Sequence, residues 1–243
     1  MLIQSARHTA LDLEHWNISE ECDRVLALTD RMSRFEDDAL EALSAFARDP
    51  RPFYVGVSWG KDSVVVAHLA WRLRLDAPVA WFPAGRIENP DCALVRDAFI
   101  RRFPVNYREI EAAPSGEIGG PLGHDGAQDE FERVSATVAE RYVSGVRAAE
   151  SGSRKMRMRI WGASSKNTCA PIGWWPTEIV FAYLAKHDLP VHPIYACTAG
   201  GLYDRLRLRV GTVGGGRGMG HGRREHERRY YPELFREVPE MLR

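Results

Sequence analysis

The residues whose types and spacing could do chemistry begin at position 58, between two apolar stretches. Residues 53–57 are apolar and rich in β-branched and aromatic side chains, which is typical of a buried strand, and the longer apolar run after Ser63 is typical of a helix. In such a strand–turn–helix, a glycine lets the backbone approach an anion, and free N–H groups at the helix start act with a lysine on phosphate. Gly60 and Lys61 therefore predict a phosphate-binding turn, called here the lysine turn (residues 58–63).

A second group of charged residues follows a short strand predicted near Val143. Two arginines in one turn can clamp phosphate or sulfate with paired hydrogen bonds while a neighbouring carboxylate orients one guanidinium. This group, the arginine segment (residues 145–154), includes Gly145, Arg147, Glu150, Ser151 and Arg154. Basic residues continue to Arg159, and they are expected to extend the anion site or to contact a nucleic-acid backbone.

The lysine turn does not match the common nucleotide-binding loop, G-x-x-x-x-G-K-[ST], because that loop would need glycine at Val55 and a hydroxyl at Asp62. It resembles instead the S-G-G-K-D-S signature of the ATP pyrophosphatases, also called the PP-loop or adenine nucleotide alpha-hydrolase-like superfamily. Tryptophan stands here where the superfamily usually has its first glycine. The six residues are Ser58, Trp59, Gly60, Lys61, Asp62 and Ser63.

Two later stretches resemble the PAPS-reductase-like family of that superfamily. The arginine segment matches the pattern G-x-R-x-x-E-S-x-x-R of PAPS reductases and of the smaller sulfate adenylyltransferase subunit. Residues 171–195 are similar to a family stretch that contains P-I-x-x-W and H-P-x-Y, and Trp175 and Tyr195 within it are predicted to lie in the core. The resemblance covers residues 52–195, with three segments in the family's order.

Members of the superfamily split ATP between its α and β phosphates, so the resemblance implies a site for ATP and Mg²⁺. It implies catalytic roles for Lys61, Asp62, Arg147 and Arg154, with Asp62 acting on loop geometry or on magnesium. Magnesium is expected to arrive bound to the nucleotide, without a metal site of the protein's own, and Lys61 is expected to face solvent. Adenine is expected at the end of the second predicted strand. The implied nucleotide-binding residues are Ser58, Trp59, Gly60, Lys61, Asp62, Ser63, Phe82, Gly85, Gly145, Arg147, Glu150 and Ser151.

The cysteines separate this chain from the redox members of the family. PAPS reductases that it resembles end in a cysteine-bearing E-C-G-x-H tail, APS-using relatives add cysteines for an iron–sulfur cluster, and some DNA-modification relatives carry R-x-G-C-x-x-C. Here that last pattern aligns with residues 209–215, where Thr212 and Gly215 take the two cysteine places. Because the four cysteines form no C-x-x-C pair, no iron–sulfur cluster is expected and reductive chemistry lacks its thiolate. They are Cys22, Cys92, Cys169 and Cys197.

The predicted function is an ATP pyrophosphatase that cleaves Mg–ATP to AMP and pyrophosphate and activates an acceptor for sulfur transfer. The resemblance to proteins of DNA phosphorothioation makes the DNA backbone the leading acceptor, with a cysteine desulfurase and other sulfur-modification proteins as partners. Two alternatives stay open: a sulfate-assimilation enzyme similar to the smaller sulfate adenylyltransferase subunit or to PAPS reductase, and a nucleotide-binding module without turnover. A homo-oligomer is compatible with each of them.

The C-terminal part is rich in arginine and glycine. Eight arginines lie from Arg205 to Arg229 against only Glu225 and Glu227, and seven glycines lie from Gly211 to Gly222. Such a segment is not expected to form a core of its own, and it is predicted to order on DNA, RNA or ATP phosphates. The alternative is a flexible loop with solvated arginines. From residue 230 onward the sequence predicts a terminal helix that docks back on the protein.

The elements that must position these residues are predicted from hydrophobic periodicity. Apolar positions in residues 19–48 recur every three or four residues, which predicts an amphipathic helix or helical hairpin that packs on the rest of the chain, a coiled coil with a partner being the alternative. Residues 78–82 and 105–110 read as strands, separated by a helix at 91–103 with Ala93, Leu94, Ala98 and Phe99 facing inward.

This alternation predicts an α/β fold, a doubly wound and mostly parallel sheet with helices on both faces. Residues 112–128 contain many glycines and prolines and are expected to form a mobile loop over the substrate. We therefore expect an N-terminal helical segment (1–50), a PP-loop domain (51–197) and an arginine- and glycine-rich C-terminal segment (198–243).

Composition excludes some classes of protein. The 243 residues are 44% hydrophobic and 27% charged, which is sufficient for one sizeable globular domain with appendages. The net charge is zero, so any nucleic-acid surface must be local. The apolar runs are too short to span a membrane and the N-terminus does not resemble a secretion signal, so a cytoplasmic protein without a membrane partner is expected.

Overall fold

The computed structural model describes residues 1–83, 88–110, 135–211 and 223–237. In these residues the strands are β1 (Phe53–Val57), β2 (Val79–Trp81), β3 (Tyr107–Glu109), β4 (Arg141–Val143) and β5 (Thr168–Cys169). The helices are α1 (Ala10–Ala27), α2 (Asp30–Ala47), α3 (Lys61–Arg72), α4 (Asp91–Arg102), α5 (Gly152–Trp161), α6 (Thr177–Lys186), α7 (Arg223–Tyr230) and α8 (Pro232–Glu237).

The N-terminal segment is a helical hairpin. Thr9 caps α1 by accepting a hydrogen bond from the Asp12 amide at 3.2 Å, and Thr29 caps α2 by accepting one from the Met32 amide at 3.3 Å. The hairpin packs on α6 through the ring pair Trp16–Phe181, with centroids 6.2 Å apart, and Phe35 meets Trp175, which lies just before α6, with centroids 6.1 Å apart. The segment therefore packs within its own chain, as the apolar period predicted.

One detail of that prediction is wrong. Val25 and Leu28 are 69% and 88% exposed, although both belong to the predicted apolar stripe. Leu28 is exposed because it lies in the turn between α1, which ends at Ala27, and α2, which starts at Asp30. Val25 is exposed because it lies on the side of α1 opposite the buried Asp23 and Ala27.

The sheet has five parallel strands in the order β3-β2-β1-β4-β5. The predicted doubly wound parallel sheet is thereby confirmed. Val55 of β1 lies beside Val79 of β2 on one side and beside Val143 of β4 on the other. Strand order thus reverses between β1 and β4, and the crevice at the carboxyl ends of these two strands is where such sheets bind ligands.

The two faces of the sheet have different surroundings. On one face Val55, Val79 and Val143 belong to a single large core with side chains of α3 and α6, such as Val65 and Ile179. On the opposite face lie side chains that line a cavity, and α5 stands beside that cavity. Members of this second face are Tyr54, Gly56, Phe82, Tyr142 and Ser144.

Three local expectations need correction or addition. Leu94 of α4 is 45% exposed, and the buried side of that helix consists of Cys92, Val95 and Phe99, so only Phe99 of the predicted large inward residues lies in the core. The basic run that ends at Arg159 forms α5. The two-residue strand β5 was not predicted, because two residues show no periodicity.

The predicted mobile loop at 112–128 lies outside the described residues. None of the described helices is both long enough and apolar enough to cross a membrane.

Candidate nucleotide-binding site

The lysine turn is closed by its two serines. The Ser58 amide donates to the Ser63 hydroxyl at 3.1 Å, and that hydroxyl donates to the Gly60 carbonyl at 3.1 Å. Gly60 is the N-cap of α3, so the amides of the first turn, including those of Asp62 and Ser63, start without an intrahelical acceptor. Ser63 is therefore used to shape the turn, while Ser58 is exposed to the cavity.

Trp59 occupies a backbone conformation that favours glycine. Its φ is +56°, in the left-handed region where a Cβ is strained. This explains why the superfamily usually has glycine here. The side chain is fully buried and packs in the core against the rings of Phe99 and Tyr107, with centroids 5.7 Å and 5.9 Å away. Trp59 thus contributes packing to the turn, and its ring points into the core.

Lys61 is buried. Its side chain is 3% exposed, so the expectation of a solvent-facing lysine is wrong. The Nζ lies 2.9 Å from Asp62 Oδ2 and 5.2 Å from the centre of the Tyr195 ring, and the Lys61 amide donates to the Tyr195 hydroxyl at 3.1 Å. Burial lowers the pKa of Lys61, while the Asp62 carboxylate acts in the opposite direction.

Asp62 links the two sequence motifs. Its Oδ1 accepts from the Nε of Arg147 at 2.5 Å, while its Oδ2 faces Lys61. Arg147 is 2% exposed and also donates to the Trp175 carbonyl at 3.0 Å and to the Thr177 hydroxyl at 3.2 Å. One carboxylate thus holds two buried cations beside the start of α3, and the group keeps a net positive charge.

Gly145 allows this contact. A Cβ at Gly145 would lie 2.8 Å from the Asp62 carbonyl carbon and 3.0 Å from the Ser63 amide nitrogen. Real Cβ atoms do not approach backbone so closely. The glycine in the arginine segment is therefore required because the two loops touch along their backbones.

The remaining residues of the arginine segment organise the start of α5. Glu150 Oε2 accepts from the Arg147 amide at 2.9 Å and pairs with the Arg154 guanidinium. Ser151 is the N-cap of α5 and accepts from the Arg154 amide at 3.2 Å. The carboxylate orients one guanidinium, as the pattern predicted, and that guanidinium belongs to Arg154, which is 41% exposed and lines the cavity.

The lysine turn and the arginine segment open on a cavity of about 740 Å³, a size typical of small-molecule sites. Part of the lining is aromatic, because the Tyr54 ring stacks on Tyr142 with centroids 5.7 Å apart and meets Phe82 at 5.8 Å. Another part of the lining is charged. Phe82 lies where the sequence placed adenine, and Gly85 is outside the described residues. Charged residues of the cavity include Lys61, Asp62, Glu88, Arg154, Arg157 and Arg209.

The match to known proteins agrees with this architecture. The family model of the phosphoadenosine phosphosulfate reductase domain matches residues 52–206, more than half of the chain. The chain belongs to this family.

Relatives and solved structures extend the comparison. The chain is 27% identical over 239 residues to the phosphoadenosine 5'-phosphosulfate reductase of Escherichia coli O6:K15:H31, covering 91% of this chain and 94% of the relative. It is 27% identical over 241 residues to the protein of the same name from Klebsiella pneumoniae, covering 92% and 95%. A phosphoadenylyl-sulfate reductase from Candida auris, solved as a phosphate complex, matches with a TM-score of 0.47 and 12% identity, over 76% of this chain and 96% of that one.

The cysteines of this family member are placed unfavourably for thiolate chemistry. Cys92, Cys169 and Cys197 are buried, and burial raises the pKa of each thiol. Cys92 lies 3.6 Å from the Ser58 carbonyl and 3.4 Å from Glu88, whose carboxylate raises the pKa further. Cys22 is exposed, on α1.

The C-terminal segment contributes more to the site than its composition indicated. Arg209 donates to the Glu150 carbonyl and lines the cavity. Val210 packs over the lysine turn, since a Cβ at Gly60 would lie 3.2 Å from the Val210 Cβ. Sequence reasoning missed Val210 because an apolar residue between arginines and glycines carries no local signal for a site. It also missed the Tyr195 hydroxyl as a partner of the lysine turn.

Part of the arginine cluster is used inside the fold. Arg205 pairs with Asp23 at 2.6 Å and lies over the Phe181 ring at 4.4 Å. The terminal part docks back as predicted, with Tyr230 and Tyr231 buried and the Tyr230 hydroxyl donating to Asp12 at 2.9 Å. The glycine-rich residues 212–222 lie outside the described part of the chain.

Proposed function

We propose that this family member binds Mg–ATP in the cavity and cleaves it between the α and β phosphates. The observation that carries the proposal is the contact between Asp62 and Arg147 at the point where strand order reverses. It gathers two buried cations, Lys61 and Arg147, at the start of α3, where the helix itself favours an anion. The aromatic side chains of the cavity lining then suit adenine, and its cationic side chains suit the phosphates.

In the proposed reaction, an acceptor oxygen forms a bond to the α-phosphorus, and the bond from that phosphorus to the bridging oxygen of pyrophosphate breaks. The acceptor becomes adenylylated and pyrophosphate leaves. A sulfur nucleophile supplied by the partner then forms a bond to the activated atom of the acceptor, and the bond from that atom to the AMP oxygen breaks, which releases AMP. Negative charge grows on the leaving pyrophosphate, and preorganised cations stabilise such charge most effectively where water is excluded. An ammonium has three donors, so Lys61 can keep Asp62 and still donate to phosphate. Magnesium would reach the site with the nucleotide.

The distribution of cysteines favours ATP over a reductive substrate. Reduction of a sulfonucleotide needs a thiol that attacks sulfur, and Cys169, which lines the cavity, is 1% exposed and has a raised pKa. The three buried thiols have raised pKa values and are poor nucleophiles. Adenylyl transfer needs no thiol of this chain.

A second candidate function is favoured by the comparisons. The curated relatives are named phosphoadenosine 5'-phosphosulfate reductases and match over more than nine-tenths of their length. In this candidate the same cavity binds a sulfonucleotide of sulfate assimilation, and the reducing thiol comes from another molecule. The exposed Arg157 and Arg209 beside the lysine turn would suit its additional anionic group.

For the acceptor in the first candidate we propose a DNA backbone phosphate, with a cysteine desulfurase among the partners that supply sulfur. Exposed arginines near the C-terminus support a polyanionic acceptor, among them Arg207, Arg224 and Arg229. A homo-oligomer and a module without turnover stay as alternatives for the same fold.

The deciding experiment incubates the protein with α-labelled ATP and Mg²⁺, with and without DNA, and resolves the labelled products. We expect the wild-type protein to form pyrophosphate together with AMP or an adenylylated acceptor. The Lys61→Met variant should form none of these products, and it therefore controls for contaminating enzymes. ADP as the sole product would refute it. In a parallel arm with phosphoadenylyl sulfate and an added dithiol, release of sulfite without cleavage of ATP would establish the second candidate. Nucleotide binding without any product would identify a non-catalytic module.

A further inference from the structure

Helix α5 presents a basic and apolar surface beside the cavity. Its sequence, Gly152–Trp161, contains four basic residues and no acidic one. Met158 is buried, whereas Met156, Ile160 and Trp161 are 57%, 61% and 75% exposed. Met156 and Ile160 are spaced i, i+4 and share one side of α5, whereas Trp161 lies on another side.

The helical period connects this surface to the cavity. Residues 154, 157 and 161 are spaced i, i+3 and i+7, so they lie along one side of α5. Arg154 and Arg157 line the cavity, and so does Gly162, which directly follows Trp161. We call Arg154, Arg157 and Trp161 the α5 track. It runs from the cavity to an exposed indole ring, while Lys155 and Arg159 lie on a different side of the helix.

The chemistry of the track fits a polyanion that carries aromatic bases. Guanidinium groups pair with phosphates, and an exposed aromatic ring stacks on a base, which is how single-stranded nucleic acids are bound without sequence preference. A base within a duplex is already stacked and cannot cover the Trp161 ring in this way. A second copy of the chain would bring the cations of α5 against like charges, which disfavours self-association through this surface.

We propose that the α5 track binds a single-stranded nucleic acid and guides its backbone into the cavity. This inference rests on the proposed function, because the bound strand is the acceptor that is activated there. It adds α5 to the C-terminal arginines as a surface that contacts the acceptor. Among those, Arg205 already pairs with Asp23 and Arg209 bonds to the Glu150 carbonyl. Within the α5 track, Arg154 pairs with Glu150 but is 41% exposed, and Arg157 is exposed. Strand binding itself needs no turnover, so the two proposals can be tested separately.

The test measures binding of a fluorescent single strand of about 12 nucleotides, a length within the usual site sizes. Trp161→Ala should weaken binding by about 5- to 150-fold, the range that loss of one stacked base produces, and Trp161→Phe should retain most of the affinity because it keeps a ring. Arg157→Gln should reduce the slope of log K against log salt by about 0.7, the value for one phosphate contact on a single strand.

Matched controls come from the same helix and from another one. Arg159→Gln lies on a different side of α5 and Arg34→Gln lies on the exposed side of α2, so each should change affinity by about twofold or less. Unchanged binding by Trp161→Ala, or equal binding of a duplex of the same sequence, would overturn the inference. So would a dimer, seen by sedimentation, that Trp161→Ala dissociates while strand binding persists.

A membrane outcome is also distinguishable. Binding of anionic phospholipid vesicles together with failure to bind the strand would overturn the inference. Because AMP formation is measured independently, strand binding without AMP refutes only the ATP proposal, and AMP formation without strand binding refutes only the α5 track.

Discussion

Arg147 and Asp62 are 85 residues apart in the sequence, yet the Arg147 Nε lies 2.5 Å from Asp62 Oδ1. The contact joins the first turn of α3, which follows β1, to the loop after β4, and the strand order reverses between these two strands. Lys61 completes the group from the other side of the same carboxylate.

Asp62→Asn should destabilise the protein strongly. The change leaves Lys61 and Arg147 buried side by side without their counter-charge, and an uncompensated buried charge costs about 3–5 kcal/mol. Urea unfolding at neutral pH measures the loss. The control is Asp204→Asn, which breaks an exposed pair with Arg207 and should change the free energy of unfolding by less than about 0.5 kcal/mol. Equal effects of the two changes would contradict the proposed role of Asp62.

Lys61→Met should remove turnover while the protein still folds. Methionine keeps most of the buried aliphatic stem and deletes the ammonium, so Asp62 retains Arg147 as a partner and the stability loss should stay near 1–2 kcal/mol. Pyrophosphate release should fall by about two to three orders of magnitude, as for loss of one preorganised electrostatic contact. Lys166→Met, at an exposed position, should leave release unchanged. Near-normal release by Lys61→Met would show that the phosphates bind elsewhere, with Arg154 as the next candidate.

Gly145→Ala should separate the two loops. The new methyl group would lie 2.8 Å from backbone atoms of Asp62, which cannot move as a flexible side chain does, so we expect a loss of about 1–3 kcal/mol and weakened nucleotide binding. Gly152→Ala is the matched control, because a Cβ there meets nothing within 4 Å, and it should be neutral or stabilising by up to about 1 kcal/mol. Titration of a fluorescent ATP analogue, paired with thermal unfolding, distinguishes the variants. Wild-type affinity in Gly145→Ala would refute the close approach.

Trp59→Ala and Trp59→Gly should differ in a defined direction. Both remove a fully buried ring from between Phe99 and Tyr107, which should cost about 3–5 kcal/mol. Glycine also relieves the Cβ strain at φ +56°, so Trp59→Gly should be the more stable of the two by about 1 kcal/mol. Chemical denaturation measures the free energy of unfolding of both variants. The contribution of the lost ring is the same in each, so it cancels in the difference. A more stable alanine variant would argue against strain at this position.

Two buried histidines should make stability depend on pH between about 3 and 6.5. Burial lowers the pKa of His68 from 6.5 to about 3, and burial likewise lowers the pKa of His192 to about 3. The unfolded chain therefore binds protons that the folded protein does not, so stability is fully present above the ordinary histidine pKa and is lost as pH falls. Each histidine contributes a slope of about 1.4 kcal/mol per pH unit.

The test compares the free energy of unfolding at several pH values in the wild type and in His68→Gln, which can still accept or donate to the Tyr183 hydroxyl, now 2.9 Å from His68 Nδ1. The slope of the variant should be smaller by about 1.4 kcal/mol per pH unit. Identical slopes would mean that His68 becomes protonated in the folded protein.

The sequence by itself was sufficient for the fold class and for the residue types of the site. Apolar runs near Val55, Val79 and Tyr107 carry their own strand signals, and their alternation with helices leaves a parallel sheet as the simplest arrangement. Gly60 and Gly145 were also visible, because glycine is needed wherever backbones come close. These signals are local, because each of them depends on only a few neighbouring residues.

Only the tertiary structure decided which partners these residues take. Elements far away in the sequence determine the surroundings of each of these side chains. They bury Lys61, bring Arg147 to Asp62, leave Leu94 facing solvent and pair Arg205 with Asp23. The free energy of a charged side chain is set by its burial and counter-charge, and neither is encoded within the few residues around it.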